Sequence, residues 1–178
     1  ALQGLYCYHN QLTTFNVQGL TALKELYCYH NQLTTLGVQG CTSLQELECS
    51  NNLLRVLYVQ GLTALKELYC YHNKLTAINV QGCSVLKKLN CFENNLNAQA
   101  MTELLKALPA RDVSDGASAT LYTEKTGVTE GNCKDYTQPA ELKAAFGGAR
   151  RYAGIPTRPP NCFASFKVAY IARWLRGS

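Results

Sequence analysis

The 178-residue chain has no run of about 18 apolar residues, so nothing in it reads as a membrane-spanning helix. It has no Cys-x-x-Cys pair, which removes the commonest zinc and thioredoxin-type signatures. No Ser/His/Asp order, nucleophile elbow, phosphate-cradling glycine pattern or paired-carboxylate motif occurs either. The expectation is a protein that is not an enzyme and that uses no cofactor. A basic stripe is also missing from the larger part of the chain. Residues 1–97 hold six Lys/Arg against five Asp/Glu, and residues 98–178 hold eleven against seven, so the net charge of +5 belongs to the C-terminal part. A nucleic-acid binder needs its basic residues on its main surface, and no nucleic-acid partner is expected.

What is present is periodic. The segment Leu5-Tyr6-Cys7-Tyr8-His9-Asn10 returns 21 residues later as Leu26-Tyr27-Cys28-Tyr29-His30-Asn31. Three more copies follow in register: Leu47-Glu48-Cys49-Ser50-Asn51-Asn52, Leu68-Tyr69-Cys70-Tyr71-His72-Asn73 and Leu89-Asn90-Cys91-Phe92-Glu93-Asn94. Leu12, Leu33, Leu54, Leu75 and Leu96 repeat at the same offset, as do Val17, Val38, Val59 and Val80. A repeat this short cannot bury its apolar side chains alone and must stack them on its neighbour. Each aliphatic side chain buried in such a column contributes roughly 1.5–3 kcal/mol, the main favourable term closing the coil.

Each copy reads Leu-x-x-Leu-x-Cys-x-x-Asn-x-Leu, and in this it resembles the leucine-rich repeats, most closely the 21-residue, cysteine-bearing kind of internalin J-like bacterial surface proteins. The resemblance covers residues 1 to about 97. It implies an α/β solenoid with a parallel β-sheet on its concave side, looser structure on the convex side, a C-terminal α/β cap and a location at the bacterial cell surface or outside the cell. The sequence opens within a repeat and shows no secretory signal in Ala1–Leu5, so further repeats and an export signal are expected upstream.

Cys7, Cys28, Cys49, Cys70 and Cys91 occupy an inward strand position and should form a thiol ladder. Parallel strands about 4.8 Å apart keep neighbouring Cβ atoms near that separation instead of the ~3.8 Å that a disulfide prefers. Buried free thiols are therefore expected here, and at Cys41 and Cys83. Cys133 and Cys162 lie outside the repeats and could pair in an oxidising compartment. Asn10, Asn31, Asn52, Asn73 and Asn94 sit where the chain turns out of the strand, and their amides can satisfy backbone groups of adjacent turns. Loss of one should cost about 1–3 kcal/mol.

Strand alternation sends the residues between Leu and Cys outward. One outward column is Gly4, Glu25, Glu46, Glu67 and Lys88; the next is Tyr6, Tyr27, Glu48, Tyr69 and Asn90; a third is Tyr8, Tyr29, Ser50, Tyr71 and Phe92. His9, His30 and His72 continue the face, with Asn51 and Glu93 completing their column. Seven aromatics on a solvent face are hard to assign to a core already filled by Leu, Cys and Val, and Tyr is enriched at protein interfaces. The candidate ligand-binding residues are Tyr6, Tyr8, Tyr27, Tyr29, Tyr69, Tyr71, Phe92, Glu25, Glu46, Glu48, Glu67, His9, His30 and His72. The expected partner is a protein, such as a host receptor or a neighbouring-cell ligand; carbohydrate recognition and a spacer with no partner are the alternatives. His9 and His30 lie on neighbouring rungs without a carboxylate, and no metal is expected there.

The repeat fails after Leu96. Residues 98–152 read as the cap, with Asn97 as N-cap of a helix carrying Met101, Leu104, Leu105 and Leu108, which Pro109 ends. A loop over 110–118, a short strand over 119–123 and a second helix opened by Pro139-Ala140-Glu141 follow, with Leu142 and Phe146 inward and an end near Gly147-Gly148. Residues 153–178 form a basic aromatic tail in which strand and helix periods both fit. An extra strand is the plainer reading; a membrane-touching helix with Lys167, Arg173 and Arg176, and a truncated tail, are the others.

Overall fold

The computed structural model describes residues 1–110, 115–123, 126–135 and 140–151, the last six of these by their backbone alone. The readings of the 153–178 tail, Cys162, Pro139 and the Phe146 side chain lie outside the described residues.

Ten strands of three residues each are described: β1 (Gly4–Tyr6), β2 (Thr14–Asn16), β3 (Glu25–Tyr27), β4 (Thr35–Gly37), β5 (Glu46–Glu48), β6 (Val56–Tyr58), β7 (Glu67–Tyr69), β8 (Ala77–Asn79), β9 (Lys88–Asn90) and β10 (Ser118–Thr120). Two helices, α1 (Ala98–Ala107) and α2 (Ala140–Arg151), accompany them. β1, β3, β5, β7, β9 and β10 make one parallel sheet in that order. Its register sets Leu5 beside Leu26, Leu47, Leu68 and Leu89, so the chain is a parallel β solenoid whose turns are 21 residues apart. The far side of the coil holds two shorter parallel pairs, β2 with β4 and β6 with β8. That side is more regular than the looser arrangement the resemblance implies. Phe15, Leu36, Leu57 and Ile78 give each of those strands one inward apolar residue, and β4 and β6 on adjacent turns do not pair.

The columns stack as the period predicts. Leu26, Leu47, Leu68, Cys28, Cys49, Cys70, Leu33, Leu54 and Leu75 are fully buried, with Val38, Val59 and Val80 beside them. Leu5, Cys7 and Leu12 of the first turn are only partly covered, because stacking on one side leaves their other side open. Gly19, Gly40, Gly61 and Gly82 turn the chain at φ between 75° and 80°. That left-handed φ, which L side chains rarely adopt, calls for glycine at these turns.

The asparagine ladder knits the turns together. Asn52 accepts a bond from the Leu33 amide at 2.9 Å and donates to the carbonyls of Cys28, Cys49 and Ser50. Asn31, Asn73 and Asn94 repeat this pattern. All four are buried, where an unpaired amide would be costly.

Beyond the repeats, Asn97 caps α1 by accepting from the Ala100 amide at 2.9 Å, and Met101, Leu104 and Leu105 enter the core. The strand expected over 119–123 is displaced to Ser118–Thr120, since Ala119 pairs with Leu89 and Leu121 then falls in the cysteine column without ladder pairing of its own. α2 runs through Gly147 and Gly148 to Arg151, although two glycines suggested an earlier end. Glycine weakens a helix by only about 1 kcal/mol, which does not force a stop.

Eight cysteines are described and all are free. Burial pushes the Cys28, Cys49, Cys70 and Cys91 thiols well up, and Cys83 to about 11, which keeps them protonated near neutrality. Cys7 and Cys133 are half-buried. Of the eight described cysteines, a thiol reagent applied to the native protein and read by peptide mass spectrometry should therefore label Cys7 and Cys133 first. Equally fast labelling of Cys49 or Cys70 would show that the ladder is open to solvent.

Candidate binding face

The outward face of the long sheet carries the residues that alternation placed there. Pairing sets Glu25, Glu46 and Glu67 side by side with Lys88 beyond them, and sets Glu48 between Tyr27 and Tyr69. Tyr6 and Tyr8 are 54% and 43% exposed; Tyr27, Tyr29, Tyr69, Tyr71 and Phe92 are half-buried. The cover over the half-buried rings comes in part from their neighbours on the same face. Tyr8 stacks on Tyr29 with centroids 4.7 Å apart and planes 8° apart, and Tyr71 stacks on Phe92 at 4.7 Å and 6°. Tyr6 and Tyr27 pack at 5.1 Å in a tilted arrangement. The third turn divides these rings into two groups.

The carboxylates are held by the phenols. Tyr6 donates to Glu25 and Tyr69 to Glu67, while Tyr27 is bonded to Glu46. Burial first, and then these carboxylates, raise the Tyr27 and Tyr69 hydroxyls far above their ordinary value, so they stay protonated donors. Burial alone would raise Glu67, but the bonds from Tyr69 and Lys88 outweigh it and its carboxyl sits below the usual range. Lys88 reaches Glu67 at 2.9 Å. Glu48 differs: burial dominates and lifts its carboxyl, although Ser50 donates to it.

The histidine column has a backbone cause. His9, His30, Asn51, His72 and Glu93 all adopt left-handed φ between 51° and 54°. His and Asn tolerate that region better than most side chains, so the turn itself accounts for their presence. His9 stacks on His30 at 4.5 Å and 11°, and His72 Nδ1 meets a Glu93 oxygen at 2.6 Å. An open groove beside this column is lined by His9, Gln11, His30, Gln32 and Asn51. Among the described residues no three His, Cys, Asp or Glu side chains converge on a point that could hold a metal ion.

Compared with known proteins, the chain matches no family model and no curated protein. Any assignment of function therefore rests on its own geometry.

Two structural residues gave no periodic signal. Asn132 accepts from the Leu96 amide at 2.9 Å and donates to the Cys91 and Leu121 carbonyls, as a further member of the asparagine ladder. Glu130 accepts from the Glu93 amide, whose counterparts in earlier turns bond a carbonyl of the next turn, and from the Thr123 and Asn132 amides. On the opposite side of the coil Leu53, Val56 and Tyr58 stand exposed where other turns carry mostly polar residues.

Proposed function

We propose that this chain is a leucine-rich-repeat protein of the internalin J-like kind, and that the outward face of its long sheet is a concave surface on which another protein is recognised. The reading continues to a bacterial surface or secreted setting, an adhesion-type role, and a ligand carried by a host or a neighbouring cell. Its job is binding, not catalysis. The observation that carries it is the aromatic face: seven rings lie on the side of the sheet that the apolar core does not use, two of them largely exposed. Tyr combines a large apolar body with a polar tip and often anchors protein interfaces.

The ring stacks support one competing reading, a spacer whose tyrosines serve only the coil, since cross-strand aromatic pairs contribute about 0.2–1 kcal/mol each. Changing Tyr27, Tyr29, Tyr69 and Tyr71 together to Ser separates the two. Capture of host-cell surface proteins should be lost while circular dichroism shows the coil intact. Undiminished capture favours the spacer. Binding on a glycan array without capture of any protein would point the same rings toward carbohydrate.

A further inference from the structure

We propose that the third turn of the face is a receptor for a guanidinium group, supplied by an arginine of the protein ligand; this rests on the protein-recognition reading above. The outer aromatic column is a ring stack with one member missing. Tyr8 and Tyr29 stack at 4.7 Å, Tyr71 and Phe92 stack at 4.7 Å, and between Tyr29 and Tyr71 stands Ser50. Two strand spacings, about 9.6 Å, separate Tyr29 from Tyr71. Among the described residues no ring contact bridges them. A flat group entering that gap would continue the stack at the spacing its neighbours already keep.

The adjoining column supplies the charge. Glu48 lies in register between Tyr27 and Tyr69, whose hydroxyls are committed to Glu46 and Glu67. Glu67 has Lys88 and Glu93 has His72, but no ion pair among the described residues includes Glu48. Its partner is the Ser50 hydroxyl. A half-buried carboxylate without a cation is an unfavourable arrangement that a cationic ligand would relieve. Ser50 is only 1% exposed, so the ligand group sits at ring level above it and not on the strand. Of the common cations, guanidinium alone is planar, stacks on aromatic faces and presents paired donors to a carboxylate; an ammonium is a compact, strongly hydrated point charge.

The test is an NMR titration of the full chain with acetyl-Gly-Arg-Gly-amide and with its lysine and citrulline counterparts. The arginine peptide should give saturable shifts at Tyr29, Ser50 and Tyr71, the lysine peptide weaker ones, and neutral citrulline the weakest. Glu48→Gln should weaken the arginine peptide about tenfold. Ser50→Tyr, which installs the residue that Tyr29 and Tyr71 already place at this position, should fill the gap and abolish binding with the coil retained. No saturable shift, equal binding of citrulline, or full affinity in Glu48→Gln would overturn the proposal. If Glu48→Gln also leaves protein capture untouched while the four Tyr→Ser changes abolish it, the arginine site is wrong and the recognition face stands. If capture survives those tyrosine changes, the recognition reading itself fails, whatever the peptides do.

Discussion

Asn52→Leu should lower the unfolding free energy by about 2–3 kcal/mol, measured by urea denaturation. Leucine keeps the branched skeleton of asparagine and is larger, so no cavity opens and the loss comes chiefly from hydrogen bonding. The Leu33 amide, bonded to Asn52 at 2.9 Å, is orphaned, and the carbonyls of Cys28, Cys49 and Ser50 each lose one of two donors, keeping Asn31, Asn73 and the His30 amide. Asn52 is 6% exposed, so water cannot readily replace it. An unmade buried hydrogen bond costs the full desolvation of the orphaned group, which exceeds the modest net gain from making it. Asn10→Leu is the internal control. Asn10 is exposed and donates only to Cys7 and Tyr8 of its own turn, so its loss should stay within about 1 kcal/mol. Equal effects at the two sites would mean that the ladder does not bind turn to turn.

The second large effect is expected at the other end of the coil. A Cβ built on Gly131 would lie 2.2 Å from the Asn94 carbonyl oxygen and 3.1 Å from the Asn95 side chain. No rotamer relieves a clash between Cβ and backbone, so Gly131→Ala must move the segment that carries Glu130 and Asn132. Those two side chains accept from the amides of Glu93, Thr123 and Leu96 and donate to the carbonyls of Cys91 and Leu121. Their displacement should cost about 3 kcal/mol. Each turn of a solenoid touches chiefly its neighbours, so the loss should be local. Hydrogen exchange should quicken at Glu93 and Leu96 while the amides of Leu33 and Cys49 keep their protection. Uniform loss of protection along the coil, or none, would contradict this picture.

The legible part of the molecule is the part that repeats. Leu26, Cys28 and Leu33 recur at one offset often enough to define columns, and alternation about them assigns Tyr27 and Tyr29 to the outward face. Where the offset breaks, inference weakens. Asn132 follows Asn94 by 38 positions and not 21, so nothing in its spacing marks it as a ladder member. Glu130 could not be found at all, because a carboxylate standing in for a strand carbonyl leaves no pattern. The left-handed column was partly visible: His9, His30 and Asn51 immediately precede the ladder asparagines and are residue types that tolerate such turns.

From the sequence alone come the coil, its period, its buried columns and the side of the sheet that faces water, because those depend on local alternation and on a short unit that must stack to bury its leucines. Only the tertiary structure decides which rings meet, which carboxylates find a phenol or a lysine, and that among the described residues no ion pair includes Glu48. Those outcomes depend on side-chain directions across neighbouring turns, which a one-dimensional period does not contain. The same holds at the C-terminal end, where β10, Glu130 and Asn132 complete the hydrogen bonding of the fifth repeat with residues that resemble no repeat. Backbone donors and acceptors there must be satisfied in space by whatever the chain brings to them.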